Sequence, residues 1–138
     1  MPSIYPRLAY QDEAAALEFL ARAFGLRERR ELRRESPEGM LAWLELGDGV
    51  VMIGRAGPTH HELYSPRETG RPTGMVNVSV QDIDAHHARA VAAGARIVMP
   101  LEDMPFGLRR YEALDPEGQR WNFHESLAEV QRRRRKAG

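Results

Sequence analysis

Leu8-Ala9-Tyr10-Gln11-Asp12 and, seventy positions later, Val78-Ser79-Val80-Gln81-Asp82 carry the same pattern. Each is an apolar residue, a spacer, a second apolar residue, then Gln-Asp. Further along, Ala23-Phe24-Gly25-Leu26 matches Ala92-Ala93-Gly94-Ala95, and Asp48-Gly49 matches Glu117-Gly118. One residue of slippage aligns all three landmarks, so the chain contains one supersecondary unit twice.

The two copies read alike in physical terms. Ile4 to Tyr10 and Met75 to Val80 have the composition of strands, and Val76, Val78 and Val80 alternate with Met75, Asn77 and Ser79. Asp12 and Asp82 stand where a helix N-cap belongs, able to accept from the free amides of the first turn. Leu17, Leu20 and Phe24 give the first helix an apolar stripe; Ile83, His87, Ala90 and Val91 give the second a weaker one. Gly25 and Gly94 end these helices, where glycine adopts the left-handed conformation without penalty. Three strands follow in each copy: near 27–33, 41–46 and 50–53, then near 96–101, 108–114 and 119–124. Ser36-Pro37-Glu38-Gly39, Gly47-Asp48-Gly49 and Asp115-Pro116-Glu117-Gly118 supply the turns. The expected organisation is a single domain over 1–138: module 4–54, linker 55–74, module 75–124 and a terminal helix over 125–137.

Composition narrows the function classes. The chain has 138 residues and no cysteine, which excludes disulfides, thiolate metal sites and a cysteine nucleophile. No apolar run approaches the roughly 18 residues of a membrane span. The first residues, Met1 to Arg7, lack the basic start and apolar stretch of a signal peptide, so a cytoplasmic location is expected. Five of the 20 basic residues are Arg132, Arg133, Arg134, Arg135 and Lys136, which leaves 15 against 20 acidic ones before them. An acidic body with a short basic tail is a poor footprint for nucleic acid. The tail itself reads as a solvated helix end.

Two βαβββ units, aspartate-capped helices and the final Asp115-Pro116-Glu117-Gly118 hairpin resemble the vicinal oxygen chelate superfamily of glyoxalases, extradiol dioxygenases, fosfomycin-modifying enzymes and bleomycin-resistance proteins. The resemblance covers about 4–125, and the stretch from Glu102 to Phe123 is most similar to the bleomycin-resistance-like branch. It implies an α+β fold of two tandem modules forming a curved mixed sheet around a cavity, with helices on the convex side, and a homodimer. In metal-dependent members, each unit supplies a ligand from its first strand and one from its last. Those places fall here on Tyr5, Met75, Asn122 and Met52 or Ile53. A divalent ion prefers imidazole and carboxylate to phenol, amide and thioether, so no metal and no other cofactor is expected. His60-His61 lies in the linker, and His86-His87 point about 100° apart on a helix; His87 falls on the inward stripe.

Strand alternation sorts the candidate ligand-binding residues. With Leu8 and Tyr10 on the helix side, Tyr5 and Arg7 face the cavity. Met75, Asn77, Arg120, Asn122 and His124 follow by the same count, and the family register adds Arg110 and Glu112. Trp43 is the inward aromatic of the first copy. Two readings remain open. One is a metal-independent protein that sequesters a planar or peptidic antibiotic-like molecule. The other is an enzyme of the same superfamily with a rearranged metal site, or with Tyr5, Glu112 or His124 as acid/base groups.

Overall fold

The computed structural model describes residues 2–138. The first module contains β1 (Arg7–Tyr10), α1 (Glu13–Phe24), β2 (Arg27–Glu28), β3 (Arg34–Ser36), β4 (Gly39–Leu46) and β5 (Gly49–Arg55). A short helix, α2 (Pro66–Thr69), interrupts the connection to the second module. That module contains β6 (Met75–Ser79), α3 (Ile83–Ala92), β7 (Arg96–Asp103), β8 (Leu108–Leu114) and β9 (Arg120–Ser126), and α4 (Leu127–Ala137) closes the chain. The fold is the α+β arrangement of two βαβββ units that the repeat implies.

Each module has its own mixed sheet. The orders are β1-β5-β4-β2, with β3 also on β4, and β6-β9-β8-β7. The first strand of each unit runs parallel to its last, β1 with β5 and β6 with β9, and the other ladders are antiparallel. The second strand of the first unit, read as one strand over 27–33, is broken by a 3-10 turn at Arg30–Leu32. The Arg27–Glu35 stretch has one apolar residue, Leu32, so no buried face holds it in register.

Both helices start as their caps dictate. Asp12 accepts from the Ala15 amide and Asp82 from the Ala85 amide, each at 3.0 Å. Gly25 (φ 75°) and Gly94 (φ 86°) take the left-handed conformation just past the helix ends. The helix-facing sides of the two sheets share one core. Phe24 of α1 sits 4.7 Å from Phe123 and 5.5 Å from Trp121, ring centre to ring centre, and both β9 aromatics are fully buried. Burying one such side chain stabilises by about 1.5–3 kcal/mol. The opposite faces of the sheets therefore point away from this core.

His86, rather than His87, is the packing histidine. Its Nε2 lies 2.8 Å from the Phe24 carbonyl oxygen and its Nδ1 2.7 Å from the Tyr111 hydroxyl. A carbonyl only accepts, so Nε2 carries the proton and Nδ1 accepts from tyrosine. His87 meets Tyr111 edge-on at 4.8 Å. The two histidines exchange roles because α3 leans on α1, which weights the inward direction toward position 86.

The basic tail is also ordered by contacts. Arg133 donates to Glu125 at 2.6 Å and lies 3.3 Å from Asp82 and 3.4 Å from Asp84. Arg134 reaches Asp84 at 3.4 Å. The solvated-end reading fails at these two residues, because α4 turns Arg133 and Arg134 toward the acidic start of α3.

Candidate ligand-binding site

The outward face of the second sheet carries seven of the ten candidate residues in three cross-strand rungs. Met75 pairs with Arg120 and then Leu114; Asn77 with Asn122 and then Glu112; Ser79 with His124 and then Arg110. Alternation puts these side chains on one surface because their partners Val76, Val78, Trp121 and Phe123 are held on the helix side.

The polar groups on this face form a directed chain. Arg120 Nε donates to Glu112 Oε1 at 2.6 Å, and Asn122 Nδ2 donates to Glu112 Oε2 at 2.8 Å. An ionised carboxylate only accepts, so Asn122 turns its amide nitrogen to Glu112 and its oxygen to His124 Nδ1, 3.1 Å away. His124 is thereby fixed as the Nδ1–H tautomer, with the Nε2 lone pair free of that network. Burial pushes Glu112 upward, but the bonds from Asn122 and Arg120 and the charges of Arg120 and Arg110 hold it below the usual carboxylate range. Burial pushes His124 down, which favours its neutral form. Arg110 donates to the Pro100 carbonyl at 3.0 Å and approaches Glu102 at 3.5 Å.

Arg7 and Trp43 lie on the other sheet. They share a rung, Arg7 with Met52 and Met52 with Trp43. Tyr5 precedes β1 and is 38% exposed. One chain thus separates the candidates into two groups on two sheets.

A cleft of about 660 Å³ opens between the edges of β1 and β6, within the range of small-molecule sites. Leu8, Leu44, Leu46, Val76, Val78 and Trp121 form apolar walls, and Met75, Asn77 and Arg120 bring candidate residues to it. Its apolar walls come from the helix side of both sheets, which alternation on either strand alone does not reveal.

At the positions where the resemblance would place metal ligands, the residues present do not fit an ion. Asn122 spends both ends of its amide on Glu112 and His124, Met75 offers a thioether, and Tyr5 lies ahead of its strand. Among the described residues no three histidines or carboxylates converge on a point that could hold a metal. Nor is any helix long and apolar enough to cross a membrane.

Comparisons with known proteins agree with this architecture. An uncharacterized protein of Mycobacterium bovis is 32% identical over 134 residues, covering 94% of this chain and 86% of its own. TioX from Micromonospora sp. ML1 superposes with a TM-score of 0.71 at 37% identity, covering 91% of this chain and 96% of that one. TnmS3, an antibiotic binding protein from Streptomyces sp. CB03234, has the same fold, with a TM-score of 0.69 at 15% identity over 91% of this chain and 97% of its own. The model of the Glyoxalase/Bleomycin resistance protein/Dioxygenase superfamily matches residues 5–123, from before the first strand into β9, and this chain belongs to that superfamily.

Proposed function

We propose that this chain is a metal-independent small-molecule-binding protein that sequesters a planar or peptidic antibiotic-like ligand. The observation that carries the reading is the cleft between β1 and β6: apolar walls, a mouth of Met75, Asn77 and Arg120, and a size suited to one drug-like molecule. The antibiotic-binding description of TnmS3, which has the same fold, supports it. A second copy builds a further binding surface beside the cleft. The outward faces in one chain look away from a common core, so Arg7, Trp43 and Tyr5 reach the Arg110, Glu112, Arg120, Asn122 and His124 group only across a dimer. Met75, 45% exposed, and Ile4, 85% exposed, are apolar side chains that such a contact covers.

Titrating planar and peptidic antibiotics against the purified protein tests the reading. At least one class binds, and Asn77→Trp, which fills the mouth without touching the core, abolishes that binding while the melting temperature holds. Light scattering gives a dimer. Binding that survives Asn77→Trp overturns the cleft assignment.

A second reading has one observation behind it. The free Nε2 lone pair of a neutral His124 is a general-base arrangement, oriented through Asn122 by Glu112. Turnover of a bound ligand that is lost in His124→Gln, with affinity kept, would favour the enzyme.

A further inference from the structure

The far end of the first sheet holds a second pocket, of about 250 Å³, whose lining includes Arg7, Arg34, Arg55, Thr59, His60 and His61. Its arginines differ in what they already bind. Arg55 Nε donates to the buried carboxylate of Glu13 at 3.1 Å. Arg7 has no carboxylate partner among the described residues. Its Nη2 reaches only the Arg55 carbonyl at 3.5 Å, and its Nε is buried without any acceptor among the described residues. Arg34 makes no ion pair among the described residues either; its guanidinium lies over the Trp43 ring, 5.9 Å from the centroid. Two glutamates also line the pocket: Glu35, held by Arg33 at 3.3 Å, and Glu38 in the β3–β4 turn.

The backbone is shaped around these groups. A side chain at Gly54 would place its Cβ 2.8 Å from the Arg7 guanidinium carbon, so the guanidinium rests against the bare Gly54 backbone and a methyl group there would push it aside. Across the pocket, a tight loop closed by the Gly57 amide on the Leu63 carbonyl (2.8 Å) presents Thr59, His60 and His61. His61 (φ 63°) and Glu62 (φ 56°) are consecutive non-glycine residues in the left-handed region. Such strain persists only where surrounding structure enforces it, and it concentrates at binding sites.

A guanidinium offers five donors in a fork that matches a carboxylate or phosphate, and a buried donor without an acceptor is costly. We propose that this pocket is an oxyanion site: Arg7 and Arg34 grip the carboxylate or phosphate end of a small ligand, under the loop of Thr59 to His61. This goes beyond the binding reading above and holds whether or not the cleft takes a ligand; of that reading it shares only Arg7 and Trp43 on the outward face of the first sheet.

Trp43 reports on the site, because an anion that engages Arg34 moves the guanidinium lying over the ring. The experiment titrates inorganic phosphate, benzoate and the neutral isostere benzamide, by calorimetry and tryptophan fluorescence, with Trp43→Phe to assign the signal. Benzoate or phosphate binds and benzamide does not; the tighter of the two anions identifies the acid group the site takes. Arg7→Met and Arg34→Met each weaken the anion at least tenfold. Gly54→Ala, which keeps every charge but pushes Arg7 aside, does the same. Arg27→Met, at an exposed arginine paired with Glu45, changes nothing. Equal binding of benzamide, no binding of either anion, or anion affinity within twofold of the parent in Arg7→Met and Gly54→Ala, with unchanged circular dichroism, overturns the site. Binding of a neutral antibiotic in the cleft bears only on the earlier reading.

Discussion

The Tyr10 hydroxyl of the first module donates to Asp115 Oδ2 of the second at 2.5 Å, in a fully buried position. The same oxygen accepts from Trp121 Nε1 at 3.2 Å, while Oδ1 accepts from the Glu117 and Gln119 amides. Burial and Asp115 together raise the Tyr10 hydroxyl well above its ordinary pKa, so it stays a donor. Burial likewise pushes Asp115 up against the pull of these donors. Tyr10→Phe therefore removes a donor from a buried carboxylate and costs about 1–3 kcal/mol, read as a lower urea midpoint at unchanged m-value.

Glu117 makes the neighbouring joint. Its two oxygens accept from the Gln11 amide (2.7 Å), the Asp12 amide (2.8 Å) and the Ser65 hydroxyl (2.6 Å). Glutamine keeps the shape but turns an NH₂ toward donors. Glu117→Gln is expected to cost about 1.5–3 kcal/mol, and hydrogen exchange should rise first at Gln11 and Asp12, where β1 passes into α1.

Acid weakens the fold through His86. Burial holds its pKa below the ordinary 6.5. The unfolded chain therefore binds a proton that the folded chain refuses, and stability falls as pH drops below about 6.5 toward the folded value. His87 and His124 shift the same way. Chemical denaturation at pH 7.5, 6.5 and 5.5 should show this slope. His86→Gln should flatten it more than His87→Gln, because His86 is the more deeply enclosed.

The Glu125 carboxylate is 5% exposed and relies on Arg133 and the Ile83 amide. Arg133→Met leaves that charge half-satisfied and is expected to cost about 1–3 kcal/mol. Truncation after Arg134 should leave the melting temperature nearly unchanged, since the pairs to Asp84 and Glu125 remain. Differential scanning calorimetry of both variants distinguishes a docked tail from a solvated one.

Three repeated landmarks in register, Leu8-x-Tyr10-Gln11-Asp12 the first of them, determined two βαβββ units with their caps and turns. Those features are local: strand alternation repeats every two residues, a cap needs a carboxylate three residues from its amide, and a left-handed turn needs glycine. The same alternation placed Asn77 and Asn122 on one face, and the register that the family resemblance implies added Glu112, the third member of their rung.

Only the tertiary structure decided which faces and charges meet. Alternation is blind to what covers a sheet, so it grouped Arg7 and Trp43 with His124, whereas packing of α1 against α3 turns their sheets outward from one core. The apolar Ile4 and Tyr5 extend the strand pattern toward the N-terminus, yet pairing with β5 begins at Arg7. Charge partners are equally nonlocal: Tyr10 finds Asp115 across 105 positions, and Arg133 finds Asp84 across 49. Nothing in the spacing of the arginines shows that Arg7 and Arg34 lack carboxylates while Arg55 and Arg133 have them. That distinction is a matter of three-dimensional distance, because an ion pair depends on a few ångströms between side chains that the chain itself holds far apart.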